Sequence, residues 1–235
     1  MAVIRIVYVS ALLLLMALLG ITPAVSGQGD GAVVDVLRVD GTVNPSLVRY
    51  LDRGISKAEK DGAAACLIEL DTPGGLLSST EDIVRRISEA TVPIVVYVPK
   101  GSWAASAGAF ITLSADVAAM APQTNLGAAT PVSLGEEMDE TMKAKVTNDA
   151  AAYIIGLAET HGRNAEWAEK AVREAVSLPA DQALDQNVID FVAADLPALL
   201  AAIDGYVTVP KGLTLHTAGA PVHEVEMGWV KRFLH

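Results

Sequence analysis

Runs of β-branched and aliphatic residues recur along the chain with a helix-length stretch between them, and no other feature narrows the possible folds as much. The runs cover residues 33–39, 66–70, 94–98 and 117–120. The stretches between the first three read as helices near 44–60 and 78–90, and a further helix begins around Ala105. A strand, a helix and a second strand in that order make a βαβ crossover, which leaves the two strands parallel. The prediction is an α/β domain of repeated βαβ units around a mostly parallel sheet. With 51% hydrophobic residues, the chain can cover such a sheet on both faces.

Local signals refine this pattern. Asn44-Pro45 sets a capping side chain before a first-turn proline, and Ser78-Ser79-Thr80-Glu81-Asp82 offers hydroxyl caps with acids in the first turn. Residues 131–140 are acidic and lack a clear period, which reads as a mobile loop suited to act as a lid. Beyond it, Val146, Ala150, Tyr153, Ile154 and Leu157 recur at helical spacing. That predicts an amphipathic helix ending near His161-Gly162, with the glycine just past the end. Helices over 164–176, from Pro179 and over 196–203, a strand over 188–192 and a C-terminal hairpin at 206–209 and 213–216 complete the reading.

Charge and cysteine content exclude several function classes. Seventeen Lys and Arg against 28 Asp and Glu give a formal charge of -11, so no basic face is expected for nucleic acid. Cys66 is the single cysteine and reads as a small buried hydrophobe. The histidines at 161, 216, 223 and 235 have no partner at ligand spacing, so no structural zinc is expected, and no motif calls for a cofactor.

The chain divides into residues 1–26, a domain over 30–205 and a C-terminal stretch over 206–235. The first part joins Arg5, an apolar run to Ile21 and the small residues Ala24 and Ser26, the pattern of a secretory signal peptide. An uncleaved anchor helix is the alternative, because the run approaches spanning length. Both place the domain on the extracytoplasmic side of a membrane. Trp229 with Lys231-Arg232 suits the water-facing approach to a membrane helix and equally an amphipathic tail.

Two loops follow strands, where sites collect in open α/β sheets. In Asp71-Thr72-Pro73-Gly74-Gly75, paired glycines let backbone N–H groups point outward as an oxyanion hole requires, although a plain strand-to-helix turn has the same composition. In Ala104-Ala105-Ser106-Ala107-Gly108, small neighbours allow a carbonyl carbon to approach a serine hydroxyl closely; the same residues also suit a helix packed tightly on the sheet. No histidine is placed to serve that serine. A lysine can do so when removal from water favours its neutral amine, and Lys143 and Lys145 are the candidates. Helical spacing sets Lys143 nearer the apolar stripe, so periodicity does not select Lys145.

Those two loops, with Ala119-Met120-Ala121-Pro122, Lys145-Val146-Thr147-Asn148-Asp149 and Gly162-Arg163-Asn164-Ala165-Glu166-Trp167-Ala168, resemble in order and spacing the NfeD-type membrane-bound serine proteases. These are relatives of the Clp protease and signal peptide peptidase A. The resemblance covers about residues 30–205 and implies the ClpP/crotonase-like fold. It implies Ser106 as nucleophile and Lys145 as general base of a Ser-Lys dyad, with backbone oxyanion donors at Gly74, Gly75 and Ala107. It further implies apolar peptide substrates, a stomatin- or prohibitin-like membrane protein as partner, and a homo-oligomer. Long members of that family continue past the region matching Arg232-Phe233-Leu234 into membrane spans and a small β-barrel domain.

Two rival readings use the same fold. One is a non-catalytic oligomeric scaffold for a stomatin-like partner, with the dyad idle. The other is an acyl-CoA hydratase or isomerase, which shares the glycine-rich oxyanion loop but would need acids that have no counterpart beside Ala107.

Overall fold

A computed structural model describes residues 33–132, 135 and 138–227. The leader over 1–26, part of the acidic loop and the terminal Trp229 with Lys231-Arg232 lie outside the described residues. In chain order the elements are β1 (Val34–Asp40), α1 (Pro45–Asp61), β2 (Ala65–Asp71), α2 (Leu77–Glu89), β3 (Ile94–Val98), β4 (Trp103–Ala104), α3 (Ala107–Leu113), β5 (Val117–Met120) and β6 (Asn125–Gly127). They continue with α4 (Glu140–Thr160), α5 (Ala165–Arg173), β7 (Ser177–Pro179), α6 (Ala180–Asp185), β8 (Phe191–Val192), α7 (Leu196–Ala202) and β9 (Val222–Glu224).

The four runs pair as the spacing predicts, and the main sheet has six parallel strands in the order β8-β5-β3-β2-β1-β9. Successive residues face opposite sides of a strand, so each run supplies two cores. Leu37, Cys66, Ile68, Val96 and Met120 pack beneath α1, α2 and α3. Val36, Leu67, Val95, Tyr97 and Ala119 pack on the other face, against Leu199, Leu200 and Ile203 of α7 and its exit. Burial on both faces is why these strands read as continuous apolar runs.

Capping holds where the side chain sits at the right position. The Asn44 carboxamide accepts from the Ser46 and Leu47 N–H groups at 2.9 and 3.1 Å. Gly162, at φ 67°, closes α4 with paired bonds from its own N–H to the Glu159 carbonyl and from the Arg163 N–H to the Ala158 carbonyl. At α2 the expectation fails. That helix starts at Leu77, so Glu81 and Asp82 fall beyond its first turn, and the Thr80 hydroxyl bonds back to the Leu76 carbonyl inside the helix.

Three further differences matter. A small second sheet, β4-β6-β7, was not predicted, because strands of two or three residues carry no readable period. The C-terminal hairpin reduces to one antiparallel bridge between Val207 and Thr214, and the chain then runs on to add β9 in parallel beside β1. The strand expected over 188–192 shortens to two residues, because Asn187 turns at φ 56° and Val188 and Ile189 enter the core as loop.

Candidate active site

Beyond β2 the chain crosses the carboxyl edge of the sheet as Thr72-Pro73-Gly74-Gly75. Gly75 makes a parallel bridge with Val43, and a Cβ there would lie 2.1 Å from the Val43 carbonyl oxygen, so only glycine fits. The flanking bonds, Val43 N–H to the Gly74 carbonyl at 2.8 Å and Leu76 N–H to the Val43 carbonyl at 2.9 Å, fix the loop. Gly74 has φ 117°, and a Cβ on it would fall 2.6 Å from Cβ of Ser106. The glycines are therefore what let the loop press onto the serine.

Ser106 sits at φ 52° and ψ -110°, a conformation that non-glycine residues adopt only when the surroundings impose it. The imposing contacts are its own N–H on the Ala128 carbonyl at 2.7 Å and the Ala105 N–H on the Thr72 carbonyl at 3.0 Å. Because the backbone turns sharply there, α3 begins at Ala107 and not near Ala105. A serine on a strained strand-to-helix turn presents its hydroxyl outside both elements, where a nucleophile must be.

That hydroxyl opens into a cavity of about 180 Å³, lined by Ser106, Gly75 and Ala107 on one side and by apolar groups such as Leu76, Phe110 and Val132 on the other. Among the described residues, neither the Gly75 nor the Ala107 N–H meets an acceptor. Two unsatisfied backbone donors beside one hydroxyl are what a developing oxyanion requires. Gly74 differs from expectation, since its N–H is already bonded to the Thr72 hydroxyl at 3.1 Å. Its contribution is space against Ser106. Sequence reasoning also missed Val43 and Thr72 as the groups that hold this loop; for Thr72 the habit of threonine hydroxyls to bond backbone two residues on was the available signal.

The lysines are placed differently. Lys143 and Lys145 both lie exposed in the first two turns of α4, which starts from an Asp139 cap onto the Met142 N–H at 2.7 Å. Neither lines the cavity, whereas their neighbours Met138 and Val146 do. The structure thus gathers Ser106, Gly75 and Ala107 at one point, puts the lysine-bearing helix at the rim, and does not select between the two lysines. The described residues hold no cluster of His, Cys, Asp and Glu able to bind a metal.

A family model described as the NfeD1b N-terminal domain matches residues 33–199. The chain belongs to that family. The membrane-bound protease PH1510 of Pyrococcus horikoshii is 40% identical over 179 residues, which are 75% of this chain and 41% of that protein. The chain therefore spans less than half the length of that relative. Two solved structures of 1510-N, a membrane-bound stomatin-specific protease, superpose closely. A serine-to-alanine mutant gives a TM-score of 0.78 at 37% identity, covering 83% of this chain and 98% of that one. A lysine-to-alanine mutant in complex with a substrate peptide gives 0.80 at 35% identity, covering 86% and 96%. ClpP1 of Listeria monocytogenes shares the fold, with a TM-score of 0.56 at 20% identity over 70% of this chain and 94% of that one. The ClpP-like α/β architecture expected for an NfeD-type domain is the one observed.

Proposed function

We propose that this chain is a serine endopeptidase in which Ser106 is the nucleophile, Lys145 the general base, and the Gly75 and Ala107 N–H groups the oxyanion donors. The observation that carries the reading is the strained Ser106 beside two free backbone donors at the mouth of an apolar cavity. In the reaction, the neutral Lys145 amine takes the Ser106 Oγ proton as Oγ attacks an amide carbonyl, and the two N–H groups hold the resulting oxyanion. The lysine ammonium then protonates the leaving amine, and water hydrolyses the acyl-enzyme. A peptide seated over the apolar wall excludes water from the cavity and so strengthens the hydrogen bonds that hold the oxyanion.

The cavity's Leu76, Phe110 and Val132 suit an apolar segment of substrate. The stomatin specificity and membrane attachment named for 1510-N support a stomatin-like membrane protein as substrate and partner here. The leader pattern over 1–26 supports a domain held at the extracytoplasmic face of a membrane, and the resemblance to the NfeD-type proteases supports a homo-oligomer. Among the described residues no helix is long and apolar enough to cross a membrane.

The exposure of Lys145 favours one rival, the non-catalytic scaffold. Cleavage of an apolar peptide patterned on a stomatin C-terminal segment separates the two. The parent and Lys143→Ala should cleave, while Ser106→Ala and Lys145→Ala should lose turnover by about 10³-fold or more with the fold intact. Binding without cleavage by the folded parent would establish the scaffold, and equal losses in the two lysine variants would displace Lys145 from its role.

A further inference from the structure

Thr72 is completely buried and contacts both loops of the site. Its hydroxyl accepts from the Gly74 N–H at 3.1 Å and donates to the Gly74 carbonyl at 3.2 Å. Its backbone brackets β4, with its N–H on the Trp103 carbonyl and its carbonyl taking the Ala105 N–H, both at 3.0 Å. Its methyl packs against the first turn of α3, where a Cβ on Gly108 would come within 2.9 Å of it. One residue thus links the loop that carries the Gly75 donor to the turn that carries Ser106 and Ala107.

Gly74 stands at φ 117°, a conformation that no side chain of its own enforces, and the Thr72 hydroxyl is the side-chain group that holds both its polar atoms. The Gly75 N–H shares a peptide plane with the Gly74 carbonyl, so its direction is set jointly by the Thr72 hydroxyl and by the Val43 N–H on that carbonyl at 2.8 Å. We infer that Thr72 is a positioning residue: its hydroxyl helps set the aim of the Gly75 oxyanion donor relative to Ser106 Oγ, and so acts on the transition state more than on substrate binding. This rests on the peptidase reading above. An oxyanion donor displaced by about 1 Å loses much of its effect, because such donors act only when fixed in advance.

The test compares Thr72→Val, which keeps the shape and removes the hydroxyl, with Thr72→Ser, which keeps the hydroxyl, in the full chain acting on the apolar peptide. Thr72→Val should lower kcat about 10- to 100-fold with KM within about twofold, while Thr72→Ser stays within about threefold of the parent. Affinity for a peptidyl boronic acid, which mimics the tetrahedral oxyanion, should fall with kcat in Thr72→Val. Affinity for the intact peptide, measured on a Ser106→Ala background, should not change. A Thr72→Val enzyme equal to the parent, or one whose loss lies in KM, overturns the inference; so does a tenfold loss of kcat in Thr72→Ser, which decides the matter should Thr72→Val not fold. A parent that leaves the peptide intact overturns the peptidase reading and this inference with it, whereas a cleaving parent indifferent to the hydroxyl overturns this inference alone.

Discussion

Ser106 holds its positive φ against the preference of its own Cβ, and conformations of this kind cost about 1–3 kcal/mol. Glycine relieves that cost, so Ser106→Gly should raise the stability of the domain by about 1 kcal/mol while abolishing turnover, as denaturant unfolding and peptide cleavage would show. The opposite holds at Gly75, where a methyl would overlap the Val43 carbonyl. Gly75→Ala should lower stability by about 1–3 kcal/mol in the same unfolding assay, because backbone and not a flexible side chain must move. Cys66 makes a third case. Burial pushes its thiol up to about 12, with the nearby Asp35 carboxylate adding to the effect. The thiolate is the reactive form, so native protein at pH 8 should resist iodoacetamide that labels it readily in denaturant.

Helices α1 and α2 are joined by Arg86, which bonds Glu59 at 2.6 Å and Asp52 at 3.0 Å. Burial alone would lift the Glu59 carboxyl, but Arg86 and the Thr91 N–H outweigh it and hold the group below its ordinary value. A folded value below the unfolded one means the contribution is complete above the unfolded value and fades as pH falls through the folded one. Glu59→Gln should therefore cost about 1–2 kcal/mol at neutral pH, with the difference from the parent shrinking toward pH 3 in unfolding measurements. Elements of this length were legible in the sequence. The βαβ runs, the Asn44 cap and the Gly162 stop each rest on local chemistry that needs no partner. What escaped was β4, β6 and β7, too short to carry a period, and β9, whose Val222, His223 and Glu224 are all exposed and are placed by pairing with β1. The site divided in the same way. Composition singles out the glycine loop and Ser106 without deciding between a site and a plain turn, and only the family resemblance gives them roles. The bridge of Gly75 to Val43 and the rim position of the lysine-bearing helix depend on contacts between segments far apart in sequence.

Across the whole molecule, Arg163 gathers segments from four places. It donates to the Leu113 carbonyl at the end of α3 at 2.9 Å and to Asp190 at 2.6 Å, and Asp190 in turn accepts from the Ala118 N–H of β5 at 2.7 Å. The arginine side chain is 1% exposed, so removing its counter-charge leaves a cation stranded in the interior. Asp190→Asn should cost about 3–5 kcal/mol, read as a large drop in the unfolding midpoint. Among the described residues the main sheet also ends in very short strands, β8 with two residues and β9 with three. Each margin thus offers only a brief row of unpaired amides, a poor template for another chain to extend, so the sheet at the centre of this domain is guarded at both sides against growth into fibrous aggregates.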